Sequence, residues 1–270
     1  MRSSRCSAIL PALVLVTLFQ GGCAFMEDMG YQTNPNATGI LDLFVRPSPE
    51  EATAWALDTT NNDRRYQGTL LLANAPFAGE DIYLKLFEDN LQDEDAAVRS
   101  AAARGLAHHG GPAQIPLILG ALEDEEVLVR LEAARALQRI HSTDAVAPLI
   151  ARLDQDVEES REVRAMCAHA LGQYPEPRVL ASLAASIRDQ SLAVNRSALE
   201  ALQFLTGQDF GLDQRAWLEF IAESEDPFVQ QVTYTYPYFE RDKKWIEYLP
   251  VMPQAPNEPK AEPIGMPRQE

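Results

Sequence analysis

The segments VRSAAARGL (98–106), VRLEAARAL (129–137), VRAMCAHAL (163–171) and VNRSALEAL (194–202) decide how this chain is read. In each, apolar or small side chains fall at i, i+4, i+7 and i+8, as in Val129, Ala133, Ala136 and Leu137. That spacing lays one buried stripe along a helix. The closing leucines, Leu106, Leu137, Leu171 and Leu202, are separated by 31, 34 and 31 positions. A period of this size marks stacked helical repeats. The small residues of the stripe let neighbouring helices approach closely.

Working outward, a second apolar set precedes each segment: Leu84, Phe87 and Leu91; Ile115, Ile118 and Leu122; Val146, Leu149 and Leu153; Leu180, Leu183 and Ile187. Their offsets are identical, and the sets lie 31, 31 and 34 positions apart. Both series lengthen by three residues at one place, the loop between Leu153 and Val163. Each repeat is therefore a pair of helices. The expected fold is all-α, an α-solenoid of antiparallel helix pairs over 48–225 with a non-helical C-terminal extension. Ser48-Pro49-Glu50-Glu51 reads as a helix start with Pro at the first helical position. Leu72, 34 positions before Leu106, places a diverged N-terminal unit in the same register. Asp213–Ala222 reads as a closing helix, since a solenoid needs atypical ends to cover its last apolar faces. Trp55, Trp217 and Trp245 lie in end elements, where covering the core is their expected role.

Asp93, Asp124, Glu158 and Asp189 each stand five positions before the Val of a segment, in the turn between the helices. Acids there can cap the second helix or complement its positive end. Arg99, Arg130 and Arg164 follow the Val and are poised to meet the acids of neighbouring turns; Asn195 takes that place in the fourth repeat. The pattern D-x4-V-R-x2-A-A-x-A-L resembles HEAT-like repeats of the bilin-lyase type over roughly residues 80 to 205. The resemblance implies the helix-pair fold and raises, as an alternative function, a lyase-like enzyme or enzyme accessory.

The 270 residues carry a net charge of −17 and a sequence pI of about 4.6. A nucleic-acid binder must neutralise phosphates with a basic face, so DNA and RNA are not expected partners. Arg2 and Arg5 precede an apolar run at Ala8–Phe19, too short and too interrupted by Pro11 to span a bilayer, and read as a signal peptide over 1–22. Gly21, Gly22 and Cys23 then resemble the lipobox of bacterial lipoproteins, with Gln20 where an aliphatic residue is usual. That resemblance implies lipidation of Cys23 and anchoring to the cell envelope, with the outer membrane facing the periplasm the preferred location. Ordinary signal-peptidase cleavage after Ala24 is the alternative. Residues 24–47 read as a tether, 226–249 as an extended aromatic arm, and 250–270, with Pro253, Pro256, Pro259, Pro263 and Pro267, as a disordered or polyproline-like tail.

No phosphate-cradling Gly loop, nucleophile elbow or spaced Cys metal motif is present. His108, His109, His141 and His169 fall at different offsets from the repeat leucines, so no metal site is expected; His108 and His109 end a helix, where a cation suits the dipole. Cys167 reads as a small core residue. No catalytic residue and no cofactor are expected. The function expected is a protein-binding scaffold in the cell envelope. Candidate contacts are Arg104, Arg135 and Arg139 on the second helices and Tyr234, Tyr236 and Tyr238 on the arm, which can equally pack on the body. A purely structural spacer is the remaining reading.

Overall fold

The computed structural model describes residues 47–236, 245–248 and 260–267. The leader at 1–22, Cys23, the tether up to residue 46 and Tyr238 lie outside them. Among the described residues there are eleven α-helices: α1 Pro49–Ala56, α2 Asn62–Ala73, α3 Asp81–Asn90, α4 Ala96–His109, α5 Ile115–Ala121, α6 Val127–Arg139, α7 Val146–Ala151, α8 Arg161–Leu171, α9 Pro177–Ser186, α10 Leu192–Thr206 and α11 Gln214–Glu223. Residues 49–236 and 260–267 belong to one compact unit. It is an α-solenoid of five helix pairs closed by α11.

The second helices α2, α4, α6, α8 and α10 pack each on the next, while the first helices pack mainly on their own partner. Composition explains the difference. The stripes facing along the row are built from small residues, and Ala102, Ala103, Ala133, Ala134, Ala136, Ala168, Ala170, Ala198 and Ala201 are all buried. The larger side chains of the first helices, such as Phe87, Ile118, Leu149 and Leu183, reach inward to the same continuous core. The residues of both apolar registers are buried or packed against that core.

The helix starts follow local chemistry. Asp95 accepts from the amides of Ala97 and Val98, Ser160 from Val163, and Asp213 from Arg215 and Ala216. Gly110 and Gly111 stop α4, and Pro112 opens a 3-10 turn that leads into α5. In the end elements, Trp55 and Trp217 are buried as expected, but Trp245 is 80% exposed. It sits in a 3-10 turn, Trp245–Tyr248.

The turns hold a ladder of buried ion pairs. Arg99 meets Asp124 through Nε and Nη2 at 2.8 and 2.9 Å, Arg130 meets Glu158 at 2.7 and 2.8 Å, and Arg164 meets Asp189 at 2.9 and 3.1 Å. Each of these arginines also donates through Nη1 to carbonyls of its own turn, as Arg130 does to Asp124 and Glu125. Each acid accepts from the amide two residues on, for example Asp124 from Glu126. The ladder acids are therefore not the helix caps; capping falls to Asp95 and Ser160, two residues later in their turns. A further rung, Arg65 to Asp93 at 2.8 and 3.0 Å, extends the ladder into the N-terminal unit. At the other end the Asn195 side-chain oxygen is buried with no hydrogen-bond partner.

Candidate functional site

The C-terminal extension gives the second-helix row a face that sequence periodicity did not describe. Counting back two from the repeat leucines yields Arg104, Arg135, His169 and Glu200; counting forward two yields His108, Arg139, Gln173 and Phe204. These columns lie one helical turn apart on the same face of each helix. Residues 228–236 run back across them. The Val232 amide donates to the Phe204 carbonyl at 2.8 Å, on α10. Tyr234 then reaches α8. The Tyr236 ring lies under the Arg139 guanidinium of α6, 5.2 Å from centroid to Cζ, a cation–π arrangement.

Tyr234 is fully buried. Its hydroxyl donates to the His169 carbonyl at 3.1 Å and lies 2.9 Å from His169 Nδ1. Gln138 Nε2 lies 2.8 Å from the same ring nitrogen. An amide nitrogen can only donate, so Nδ1 accepts and the ring proton sits on Nε2, which faces Glu200 at 3.4 Å. The His169 ring holds the Glu200 carboxyl below the usual range, against the opposing effect of burial. Burial pushes the Tyr234 phenol well above its ordinary value. Phe204 completes the pocket, 5.2 Å from the Tyr234 ring and 6.2 Å from His169. Two glycines make room. A Cβ on Gly172 would stand 3.1 Å from the Tyr234 ring and from Ala201. Gly207 ends α10 with φ +66°, and a Cβ there would stand 2.3 Å from the Gln230 carbonyl.

The expected contacts are thus distributed as follows. Tyr234 is a core residue of the arm, so it is not available to a partner; its hydroxyl finds in His169 the bond a buried phenol needs. Tyr236 is half-buried against Arg139. Arg104 is half-buried on α4, and Arg135 is half-buried and paired with Glu132. The reading of 250–270 as a disordered or polyproline-like tail is corrected for 260–267. There the Ile264 amide donates to the Arg139 carbonyl and the Ile264 carbonyl accepts from the His141 amide, each at 2.8 Å, in a parallel bridge with Ile140. Tyr236 pairs with Ala261 in an antiparallel bridge. The end of α6 offers main-chain groups that an extended segment can satisfy, which composition alone does not reveal.

The other histidines serve packing. His141 stacks on Tyr174 and bonds to Gln173. His108 and His109 both approach the Ala73 carbonyl at 3.1 Å. Burial holds His109 below its ordinary pKa, so the cation expected at that helix end is disfavoured. Cys167 is buried, and burial pushes its thiol up, away from a reactive thiolate. Among the described residues, no group of three His, Cys, Asp or Glu side chains is placed to hold a metal, and no helix is long and apolar enough to cross a membrane.

Residues 84–162 match the family described as HEAT repeats. Over those residues the helix pairs are similar to HEAT repeats. No curated protein matches the chain. Among solved structures it is similar to the complex of CpcE and CpcF of phycocyanin lyase from Nostoc sp. PCC7120, at 20% identity and a TM-score of 0.41, over 64% of this chain and 80% of that one. It is also similar to a designed armadillo repeat protein, at 16% identity and a TM-score of 0.47, over 67% of this chain and 94% of the designed one.

Proposed function

We propose that this chain is a non-catalytic, protein-binding scaffold of the cell envelope, anchored through lipid on Cys23 and binding through the face of its second helices. The observation that carries the binding part is that this face already holds an extended peptide segment, its own residues 231–236, by an inserted aromatic whose hydroxyl bonds the His169 carbonyl and by the main-chain bond from Val232 to Phe204. Repeat proteins commonly bind along such a face. The polar groups nearest the arm are largely engaged with one another: His169 Nδ1 meets Gln138 and Tyr234, and Nε2 faces Glu200 at 3.4 Å. The anchoring part rests on the apolar run and the Gly21-Gly22-Cys23 sequence that follows it. Two or more acyl chains would hold it stably where one would not.

The test has two arms. Cells fed a labelled fatty acid should label the wild-type protein in the membrane fraction and not Cys23→Ser. In-cell crosslinking from Arg104 and Arg135 should recover one envelope protein in near-stoichiometric amount. An unlabelled wild-type protein removes the anchor; crosslinks no richer than background remove the scaffold.

A further inference from the structure

Residues 260–267 differ from the arm before them in how they are held. Tyr234 is anchored by a side chain without solvent exposure. The later segment lies on the surface: Lys260, Glu262, Gly265 and Pro267 are exposed and Ile264 is 48% exposed, while Pro263 alone is buried. Its hydrogen bonds to the rest of the unit are main chain. Ile264 uses both its amide and its carbonyl, on Arg139 and His141, and Ala261 accepts from Tyr236 at 3.0 Å.

The receiving groups are of a particular kind. The Arg139 carbonyl belongs to the last turn of α6, where carbonyls lack an intrahelical partner. Ile140 leaves the helix in extended conformation, φ −120° and ψ 112°. The body thus offers an acceptor and a donor in strand spacing, both met by the one residue Ile264 in an isolated bridge to Ile140. Two side-chain requirements flank it. Pro263 is buried. Two residues on, Gly265 has φ +83°, which side chains rarely adopt, in a turn closed by the Met266 amide on the Pro263 carbonyl at 3.3 Å.

We propose that this groove at the end of α6 is a peptide-docking site, occupied here by the chain's own residues 260–267, and that it takes from a partner a turn-forming segment of the form Pro-x-Gly, in which x supplies a main-chain amide and carbonyl, as Ile264 does within the Pro263–Met266 turn. This deepens the scaffold reading, on which it rests, by naming the partner's chemistry and the segment that competes with it. A few main-chain bonds are comparable in worth to the entropy of ordering the residues that make them, so the segment can exchange. Being part of the same chain gives it a high local concentration, so the filled state dominates until a partner outcompetes it.

The probe is the labelled synthetic peptide Lys-Ala-Glu-Pro-Ile-Gly-Met-Pro, matching residues 260–267, and the host is the full chain carrying Ile264→Pro. That substitution removes the amide donated to Arg139 without shortening the protein. Hydrogen exchange at the His141 amide reports occupancy. In the wild type this amide is protected; in Ile264→Pro it exchanges freely and is protected again by added peptide. Fluorescence anisotropy shows the peptide binding Ile264→Pro at least ~10-fold more tightly than the wild type, as removal of an intramolecular competitor requires. A peptide with Pro in place of its Ile does not bind either protein. An open His141 amide that peptide fails to protect overturns the proposal. So does a His141 amide that stays protected in Ile264→Pro, since the segment is then not held by that bond. A crosslinked partner recovered in cells alongside a failed peptide assay removes the groove and leaves the scaffold; peptide binding with no crosslinked partner does the reverse.

Discussion

Gly105 and Phe87 share one packing problem between them. At the positions matching Gly105 the other repeats carry Ala136, Ala170 and Ala201, and at those matching Phe87 they carry Ile118, Leu149 and Leu183. A Cβ on Gly105 would stand 2.7 Å from two atoms of the Phe87 ring. Gly105→Ala gains about 0.5–1 kcal/mol in helix propensity, but forcing a methyl into a filled core costs about 1–3 kcal/mol. The expected net is a lower urea midpoint for Gly105→Ala. Adding Phe87→Leu should recover part of it, although Phe87→Leu alone also destabilises. Additive losses in that double-mutant cycle would show the two sites do not share the space. The same register comparison could have revealed Arg65, which lies 34 positions before Arg99, as a ladder residue. Tyr234 could not be assigned this way. Its partners, His169, Gln138 and Gly172, belong to no shared pattern with the arm, and only the folded chain brings them together.

At the level of helices and turns, the sequence carried nearly the whole architecture, because period, apolar offset and turn acid repeat in step. It could not say which acids would be buried. Glu158 has no exposed surface and faces both Arg130 and, at 3.6 Å, Arg152. Burial works to raise the four ladder carboxyls, yet their arginine and amide hydrogen bonds outweigh it, and Asp93, Asp124, Glu158 and Asp189 all lie below the usual range. For a depressed carboxyl the stabilisation is complete above the unfolded-state pKa and is lost as pH falls through the folded one. Stability should therefore hold at neutral pH and decline below about 4.5, the ordinary value for Glu, and further below 3.8, that for Asp. Urea midpoints followed from pH 7 to pH 3 check this. Glu158→Gln should be less stable at pH 7, since removing one partner of a buried pair costs about 3–5 kcal/mol, and should show a shallower acid decline. An acid limb of unchanged steepness would place the loss outside the ladder.

Across the whole array, each repeat of a solenoid ordinarily touches only its neighbours, and stability is close to a sum of local terms. The C-terminal half breaks that rule, because one extension touches α10 at Phe204, α8 at His169 and α6 at Arg139. Trp55 and Trp217 are buried at opposite ends and report on them separately. With Trp245 replaced by Phe, single-tryptophan variants should show the Trp55 signal lost at lower urea than the Trp217 signal. Coincident midpoints would mean the array melts as one body. The extension also bears on how such a protein can change over generations. Solenoids grow and shrink by copying or deleting whole repeats, an event most of the array would absorb. Between α6 and α11 it would not. One repeat more or fewer there would carry His169 or Arg139 away from Tyr234 and Tyr236 and leave a phenol and an arginine without their counterparts. The arm thus fixes the repeat count of the C-terminal half and leaves duplication free only on the N-terminal side of α6.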